Sequence, residues 1–476
     1  MQLQLVSSQF CAASRDVPTL HLTVVDSTPR RLLASAEDAS PHVSEQRGSS
    51  RVPRLRTRGI MWNLPSVELF GTGMLVLKDV VILNFGHTFC SSIQDVAWPQ
   101  RLEKLKLGKQ SNQPVEGITW PPSLKELEFG LEFNQSVAGV TWPRSLLRLV
   151  FGDCFNQPIV MIMWPRLLQH LAFGRNFNQP MSGVAWPRSL LHLSLGNGVM
   201  RPLDITTLPP SLEQLTLGRL FGYTMSEILL PPALKQLTFG RDFNLPIRGV
   251  SLPASLRKLA LGDHFNRPFE AVVLPSSLHE LDFGKAFNKT VDGVSWPACL
   301  RRLVFGGSFD QPIKDVAWPS SLETLTFGET FNQPIEDVAW PASLQRLTFG
   351  RAFDQPIESV AWPTSLQRLT FGRAFNQPIG AVRWPDSLEH LTFGDMFNQH
   401  VWAVVWPGSL KQLAFGYMFN QAADLPDLPV SMPGWPFGGD ANILRTQRFP
   451  IRRKRGGDCL IKAWRSNYST SPPPPN

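Results

Sequence analysis

Seven basic or imidazole side chains recur at one position of a repeating sequence, and these are the residues best suited to bind a partner. They are separated by 22 residues or multiples of 22, and they are Arg148, His170, His192, Arg302, Arg346, Arg368 and His390. A guanidinium can form two parallel hydrogen bonds with a carboxylate or phosphate, and an imidazole both donates and accepts. Such a row predicts recognition of an acidic or extended partner.

Motifs that would support catalysis or metal binding are missing from the sequence. There is neither HExxH nor GxxxxGK[ST], and the five cysteines are widely spaced without a CxxC pair. His170 and His192 are expected to be neighbours, but no third ligand accompanies them. Because no unit carries an insertion that could build a pocket, the sequence predicts a protein that is not an enzyme and has no metal site and no cofactor.

The row belongs to an array of fifteen units between residues 98 and 428, each 22 residues long. A Trp-Pro pair marks each unit from Trp98 to Trp406. Leu-Pro replaces it in four consecutive units, at Leu208, Leu230, Leu252 and Leu274, and Leu428-Pro429 closes the series. Identical units at a fixed short period bury their apolar faces by stacking, so the array predicts a solenoid.

The unit, numbered from its first leucine, reads L-x-x-L-x-F-G-x-x-F-N-Q-P-I-x-x-V-x-W-P-x-S. Leu at position 4 and Phe at position 6 alternate with polar residues at positions 3 and 5, which indicates a strand with positions 3 and 5 outward. Gly at position 7 is expected to end the strand in a turn with positive φ. Asn at position 11 would bond its own backbone or the neighbouring coil.

These features predict a leucine-rich-repeat-like solenoid, in which 22-residue coils stack through a parallel β-sheet. Two prolines and a glycine in each unit leave room for few or no long helices. A short helix over P-x-S-L-x-x-L remains an alternative.

The ends of the chain differ from the array. We predict a disordered N-terminal segment at 1–60, a degenerate repeat and cap at 61–97, a C-terminal cap at 429–440 and a basic disordered tail at 441–476. The net charge of +8 divides into +3 for 1–60 and +7 for 441–476, which leaves −2 for 61–440. The array is therefore a poor surface for nucleic acid. No apolar run is long enough to predict a membrane span.

The Trp column at position 19 suggests an alternative function. Regularly spaced indoles could stack against sugar rings, so a carbohydrate-binding solenoid using this column is the second hypothesis. A position that accepts either Trp or Leu is more simply interpreted as part of the core than as a sugar-binding site.

The unit also resembles a known family. Pro341-Ala342-Ser343-Leu344, Leu347, Phe349-Gly350 and Phe353-Asp354-Gln355-Pro356-Ile357 follow in order the signature of the FNIP repeat, a relative of the leucine-rich repeat. The resemblance implies a solenoid with a parallel sheet and a role in protein–protein recognition, sometimes as the substrate arm of an F-box protein. Residues 1–60 lack an F-box-like helical pattern, so no ubiquitin-ligase role is carried over.

Together these observations predict a non-enzymatic protein-interaction scaffold that binds a partner on its outward sheet face. The odd number of widely spaced cysteines fits a reducing compartment, so we expect an intracellular protein, cytoplasmic or nuclear.

Overall fold

The computed structural model describes residues 59–62, 80–90, 92–94, 96, 98–196, 208–218, 229–421 and 462–463. The chain forms two compact units, 1–221 and 222–476. The predicted C-terminal cap lies outside the described residues. So do the two predicted disordered segments, except for Gly59-Ile60 and Lys462-Ala463, and most of the predicted N-terminal cap. Residues 197–207 and 219–228, where the repeat departs from its pattern, also lie outside them.

The described residues of the first unit form eight short strands that pair in sequence order, each parallel to the next. The strands are β1 Gly59–Trp62, β2 Ile82–Phe85, β3 Lys104–Lys106, β4 Glu126–Glu128, β5 Arg148–Val150, β6 His170–Ala172, β7 His192–Ser194 and β8 Gln214–Thr216. From β2 onward, each strand is displaced by 22 residues from its neighbour. The predicted parallel sheet is therefore confirmed in this unit.

The part of the second unit that the structure describes repeats this arrangement with ten strands, again parallel and in sequence order. They are β9 Gln236–Thr238, β10 Lys258–Ala260, β11 Glu280–Asp282, β12 Arg302–Val304, β13 Thr324–Thr326, β14 Arg346–Thr348, β15 Arg368–Thr370, β16 His390–Thr392, β17 Gln412–Phe415 and β18 Lys462–Ala463. The described residues of both units contain no helix, so the short-helix alternative is wrong there, and P-x-S-L forms a turn. None of them forms a helix able to cross a membrane.

The core of each coil is formed by the apolar positions of the unit. In the coil that begins at Leu344, that leucine, Leu347, Phe349, Phe353 and Ile357 are all buried. The rings of Phe349 and Phe353 stack with their centroids 4.0 Å apart. Each of these two phenylalanines also stacks on its counterpart in the next coil, so the aromatic side chains form columns that hold these coils together.

The glycine at position 7 is required by the close approach of neighbouring coils. A Cβ on Gly350 would lie 1.6 Å from the carbonyl oxygen of Gly328 in the preceding coil. The expected positive φ at this position is wrong for the described coils, with Gly284 as the exception; the other positive-φ glycines, Gly117, Gly183, Gly249 and Gly293, stand at position 16. Gly at position 7 therefore sets the spacing between coils.

Asn at position 11 bonds the neighbouring coil, which decides between the two predicted roles. Asn134 Oδ1 accepts a hydrogen bond from the Asn156 backbone N–H at 2.9 Å, and Asn156 Oδ1 accepts one from Asn178 at 2.8 Å. The aspartates that replace Asn accept in the same way, since Asp354 Oδ1 receives the Asn376 N–H at 2.8 Å. A second ladder links Ser365 Oγ to the Leu344 carbonyl at 2.8 Å. Both ladders tie each coil to the one before it.

Candidate partner-binding face

The outward face of the sheet is built from positions 3 and 5 of each unit. In β14 the central Leu347 is buried, whereas Arg346 is exposed and Thr348 is half-buried. The same alternation holds in the other three-residue strands from β3 to β16, because successive side chains of a strand point to opposite sides. All seven predicted partner-binding residues occupy the first position of a strand and lie on this face.

The structure brings six of these seven residues together in two groups of three. Arg148, His170 and His192 are register neighbours on β5–β7 of the first unit. In the second unit, Arg346, Arg368 and His390 are register neighbours on β14–β16. Arg302 lies apart from the second group on β12, because Thr324 of β13 separates it from Arg346.

The two histidines of the first unit lie against each other. Their ring centroids are 4.0 Å apart and the rings are tilted by 54°. Burial is the main cause that lowers the pKa of His170, and the charges of His192 and Arg148 lower it further. Burial and Arg148 also lower the pKa of His192, against an opposing effect of Glu213. Both rings are therefore mainly neutral at pH 7 and act as hydrogen-bonding groups, so Arg148 is the permanent charge of this group.

Many charged residues on or beside this face pair with an opposite charge in the next coil. Lys104 Nζ lies 2.7 Å from Glu126 Oε1, and Lys258 Nζ lies 3.2 Å from Glu280 Oε2. At the neighbouring position 2, Lys411 Nζ contacts Glu389 Oε1 at 2.7 Å and thereby lowers the pKa of the Glu389 carboxyl. These exposed pairs fix register more than they stabilise the fold.

Arg346 and Arg368 differ from those residues, since neither forms an ion pair within the described part of the chain. They lie side by side on paired strands, where like charges repel. The third member of the group, His390, places Nδ1 3.1 Å from Gln412 Oε1. Arg302 is in a different setting, a shallow depression that also contains Lys258, Glu280 and Asp282. On the outward face of the second unit, β14 and β15 thus hold two neighbouring arginines, and the Glu389 carboxylate is close enough to interact with Arg368.

The Trp column at position 19 is part of the packed wall of each unit. Trp362 and Trp384 are each only 8% exposed, and their ring centroids are 6.3 Å apart in a stacked arrangement. The eleven indole nitrogens of this column are buried and form no hydrogen bond within the described residues. Because the indole faces pack on one another, this column offers few ring faces to a sugar.

Iodide quenching checks this arrangement of the tryptophans. The folded chain is expected to show blue-shifted emission, with the eleven column indoles only weakly quenched by iodide, whereas Trp402, at 68% exposed, is strongly quenched. Trp402→Phe is the control variant. It removes this exposed indole and leaves the column intact, so the column can be measured without it. Full quenching of this variant, or protection of the column by added oligosaccharides, would restore the carbohydrate-binding alternative.

One surface feature was not predicted from the sequence. In the coil that begins at Leu146, Met161 and Met163 are 79% and 83% exposed, and Leu167 and Val160 beside them are also exposed. Neighbouring coils carry small or polar residues at the corresponding positions 15, 16 and 18. The apolar residues at these three positions depart from the repeat, and this departure could have been used to predict the exposed patch from the sequence.

Among the described residues, no group of three or more His, Cys, Asp or Glu side chains is placed to hold a metal ion. His170 and His192 are adjacent, as predicted, without a third such ligand. On β14–β16 the face presents guanidinium, imidazole and hydroxyl groups in register. They are suited to binding through hydrogen bonds and charge.

Comparisons with known proteins agree with this architecture. The family model described as FNIP Repeat matches residues 82–132, 201–242, 243–286, 287–330, 331–374 and 375–418, which together make up more than half of the chain. No curated protein sequence matches the chain.

Among solved structures, the crystal structure of CroV588, described as a novel circular LRR protein structure, is 38% identical with a TM-score of 0.62; the match covers 72% of this chain and 54% of that one. The chain thus spans about half the length of that protein. YopM of Yersinia enterocolitica is 18% identical with a TM-score of 0.35, over 75% of this chain and 91% of that one. YopM of Yersinia pestis is 21% identical with a TM-score of 0.43, over 66% and 83%. With six matched segments and the stacked 22-residue coils that the structure contains, the chain belongs to the FNIP repeat family.

Proposed function

We propose that this protein is a non-enzymatic recognition scaffold, which binds an acidic protein segment on the outward face of its sheet. The observation that carries the proposal is the pair Arg346 and Arg368, two exposed guanidiniums in register without an ion pair among the described residues. Two like charges on neighbouring strands destabilise the free protein, and a bound carboxylate or other anion removes that repulsion. The leucine-rich-repeat-like fold, which is typical of protein-interaction scaffolds, supports the same proposal.

The remaining predicted residues enter the proposal as extensions of this surface. His390 continues the row beyond Arg368, and Arg302 lies two strands away from Arg346. Arg148, His170 and His192 form a separate stretch in the first unit, and we propose that it contacts the partner mainly through hydrogen bonds at pH 7. A proposed intracellular location, cytoplasmic or nuclear, is supported by Cys90, Cys154 and Cys299, which are free thiols.

Affinity capture with two double variants tests the proposed function. The full chain and R346A/R368A are used to capture proteins from the native cell lysate, and R351A/R373A is the matched control. The control removes two arginines from the same two coils, at position 8 and therefore off the strands. We expect a small set of proteins whose recovery falls at least tenfold with R346A/R368A, because two charge-assisted contacts are lost.

The control variant is expected to recover the same set as the unmodified chain. Circular dichroism should show that both variants keep the fold, since all four side chains are exposed or half-exposed and do not contribute to the core. Equal recovery by R346A/R368A and R351A/R373A would show that the sheet face is not the binding surface.

A further inference from the structure

Four neighbouring strands of the second unit present an uninterrupted array of hydrogen-bond donors. The outward positions of β13–β16 hold eight residues, in two rows that are in register: Thr324, Arg346, Arg368 and His390 in one, and Thr326, Thr348, Thr370 and Thr392 in the other. Each of these side chains carries an N–H or O–H group. None of the eight is a carboxylate or a large apolar residue.

The strands β3, β4, β11 and β12 have a different composition on the outward face, whereas β7–β9 carry other hydrogen-bonding residues without an arginine. β3 and β4 present Lys104 and Lys106 against Glu126 and Glu128, which pair across the strands. β11 presents two carboxylates, and the outward Val304 of β12 is apolar. A donor array that contains two adjacent arginines beside threonines is therefore a local feature of β13–β16, since the repeat itself does not impose it.

The centre of the array has the dimensions of an oxyanion site. Arg346 and Arg368 are register partners on adjacent strands, which lie about 4.8 Å apart. Thr348 and Thr370 are also register partners and lie two residues further along each strand, about 6.6 Å away on the same face. Two arginines on backbones at this separation have side chains long enough to bond one group that carries two charges and three acceptor oxygens, as a phosphorylated side chain does. A single carboxylate offers two oxygens and one charge.

We propose that β13–β16 bind a phosphorylated side chain within an extended segment of a partner protein. Arg346 and Arg368 hold the phosphoryl oxygens, and the hydroxyls of Thr348 and Thr370 bond the same group or the adjacent backbone. His390 extends the row with an imidazole that can form a further hydrogen bond with the partner. This inference rests on the proposed function and names the class of its partner.

The distribution of charge favours a short phosphorylated segment over other anions. Residues 61–440 have a net charge of −2, so a nucleic acid or an anionic membrane would be repelled by the rest of the body while it contacts two arginines. The chain's own ends are unsuited to the site because both are basic, with +3 in residues 1–60 and +7 in 441–476. Arginine clusters are a recurrent means of recognising phosphorylated motifs.

A peptide library tests the proposal directly. The probe is a bead-bound library of peptides that are degenerate except for one central phosphoserine, and the references are the same library with serine or with glutamate. The full chain is expected to be retained at least tenfold more strongly by the phosphoserine library than by either reference. R346A/R368A should lose this preference, and R351A/R373A should keep it.

A conservative variant separates the contribution of the hydroxyls. T348V/T370V keeps the β-branched shape that suits a strand and removes only the two O–H groups, so we expect a several-fold reduction in retention with an unchanged melting temperature. Equal retention of the three libraries, equal retention of R346A/R368A and the full chain, or RNA binding that R346A/R368A abolishes, would each overturn the proposal.

Failure of this inference can be distinguished from failure of the proposed function. If phosphatase treatment of a lysate leaves the captured proteins bound and R346A/R368A still releases them, the sheet face binds an acidic segment that is not phosphorylated. The phosphoryl inference is then wrong and the proposed function stands. If R346A/R368A releases nothing, both are wrong.

Discussion

Gly350→Ala is expected to destabilise the second unit by more than about 3 kcal/mol, because the added methyl group has no space to occupy. Its Cβ would lie 1.6 Å from the carbonyl oxygen and 2.3 Å from the carbonyl carbon of Gly328, which are backbone atoms. The two coils would have to separate, and the ladder bonds that join them would lengthen. Urea denaturation followed by tryptophan fluorescence measures the loss.

The control for this substitution is Gly380→Ala. Gly380 stands at position 15, and a Cβ there would meet only the Ala403 Cβ, at 3.7 Å, which is an ordinary van der Waals distance. We expect this variant to be within about 0.5 kcal/mol of the unmodified protein. Similar stability of the two alanine variants would contradict the conclusion that Gly at position 7 sets the spacing between coils.

Asn156→Ala is expected to cost about 1–3 kcal/mol, because the backbone N–H of Asn178 loses its acceptor in a partly buried position. Asn156 Oδ1 accepts that N–H at 2.8 Å and also accepts Gln179 Nε2 at 3.0 Å. Removal of the side chain breaks the ladder at one rung, while the carbonyl of residue 156 still accepts Gln179 Nε2. Hydrogen exchange at the Asn178 amide should accelerate by one to two orders of magnitude, as this free-energy change implies.

Asn156→Asp supplies the matched control, because an aspartate keeps the accepting oxygen. Asp354 already performs this role for Asn376 at 2.8 Å. The aspartate variant should keep slow exchange at Asn178, whereas the alanine variant loses it. If both variants exchange at the same rate, the side-chain oxygen does not support the ladder.

Much of the fold could be predicted from the sequence because the repeat constrains it tightly. The 22-residue period, the buried leucines at positions 1 and 4 and the outward positions 3 and 5 follow from spacing and alternation alone. The role of Gly350 could not be predicted in this way, since it depends on the distance between the backbones of neighbouring coils. Spacing alone also could not decide whether Asn at position 11 bonds its own backbone or the neighbouring coil. That depends on the direction in which its Oδ1 points.

The candidate face could be predicted only in outline. The row of seven residues was visible in the sequence, but its members differ in surroundings that the sequence does not specify. Burial lowers the pKa of both His170 and His192, so neither is mainly charged at pH 7. Arg302 differs from Arg346 and Arg368 because charged groups of neighbouring strands lie near it. The column of threonines that completes the donor array gained significance only when the register placed Thr348 and Thr370 beside the two arginines.

The most direct test of recognition through the sheet face is hydroxyl-radical footprinting of the full chain with a captured partner. We predict that the partner protects His390 and the outward residues of β13–β16 from oxidation. Met161, Met163 and Trp402 should react equally with and without the partner, because they are exposed and lie off the sheet face. Protection of those three residues with unchanged labelling of His390 would contradict recognition through the sheet.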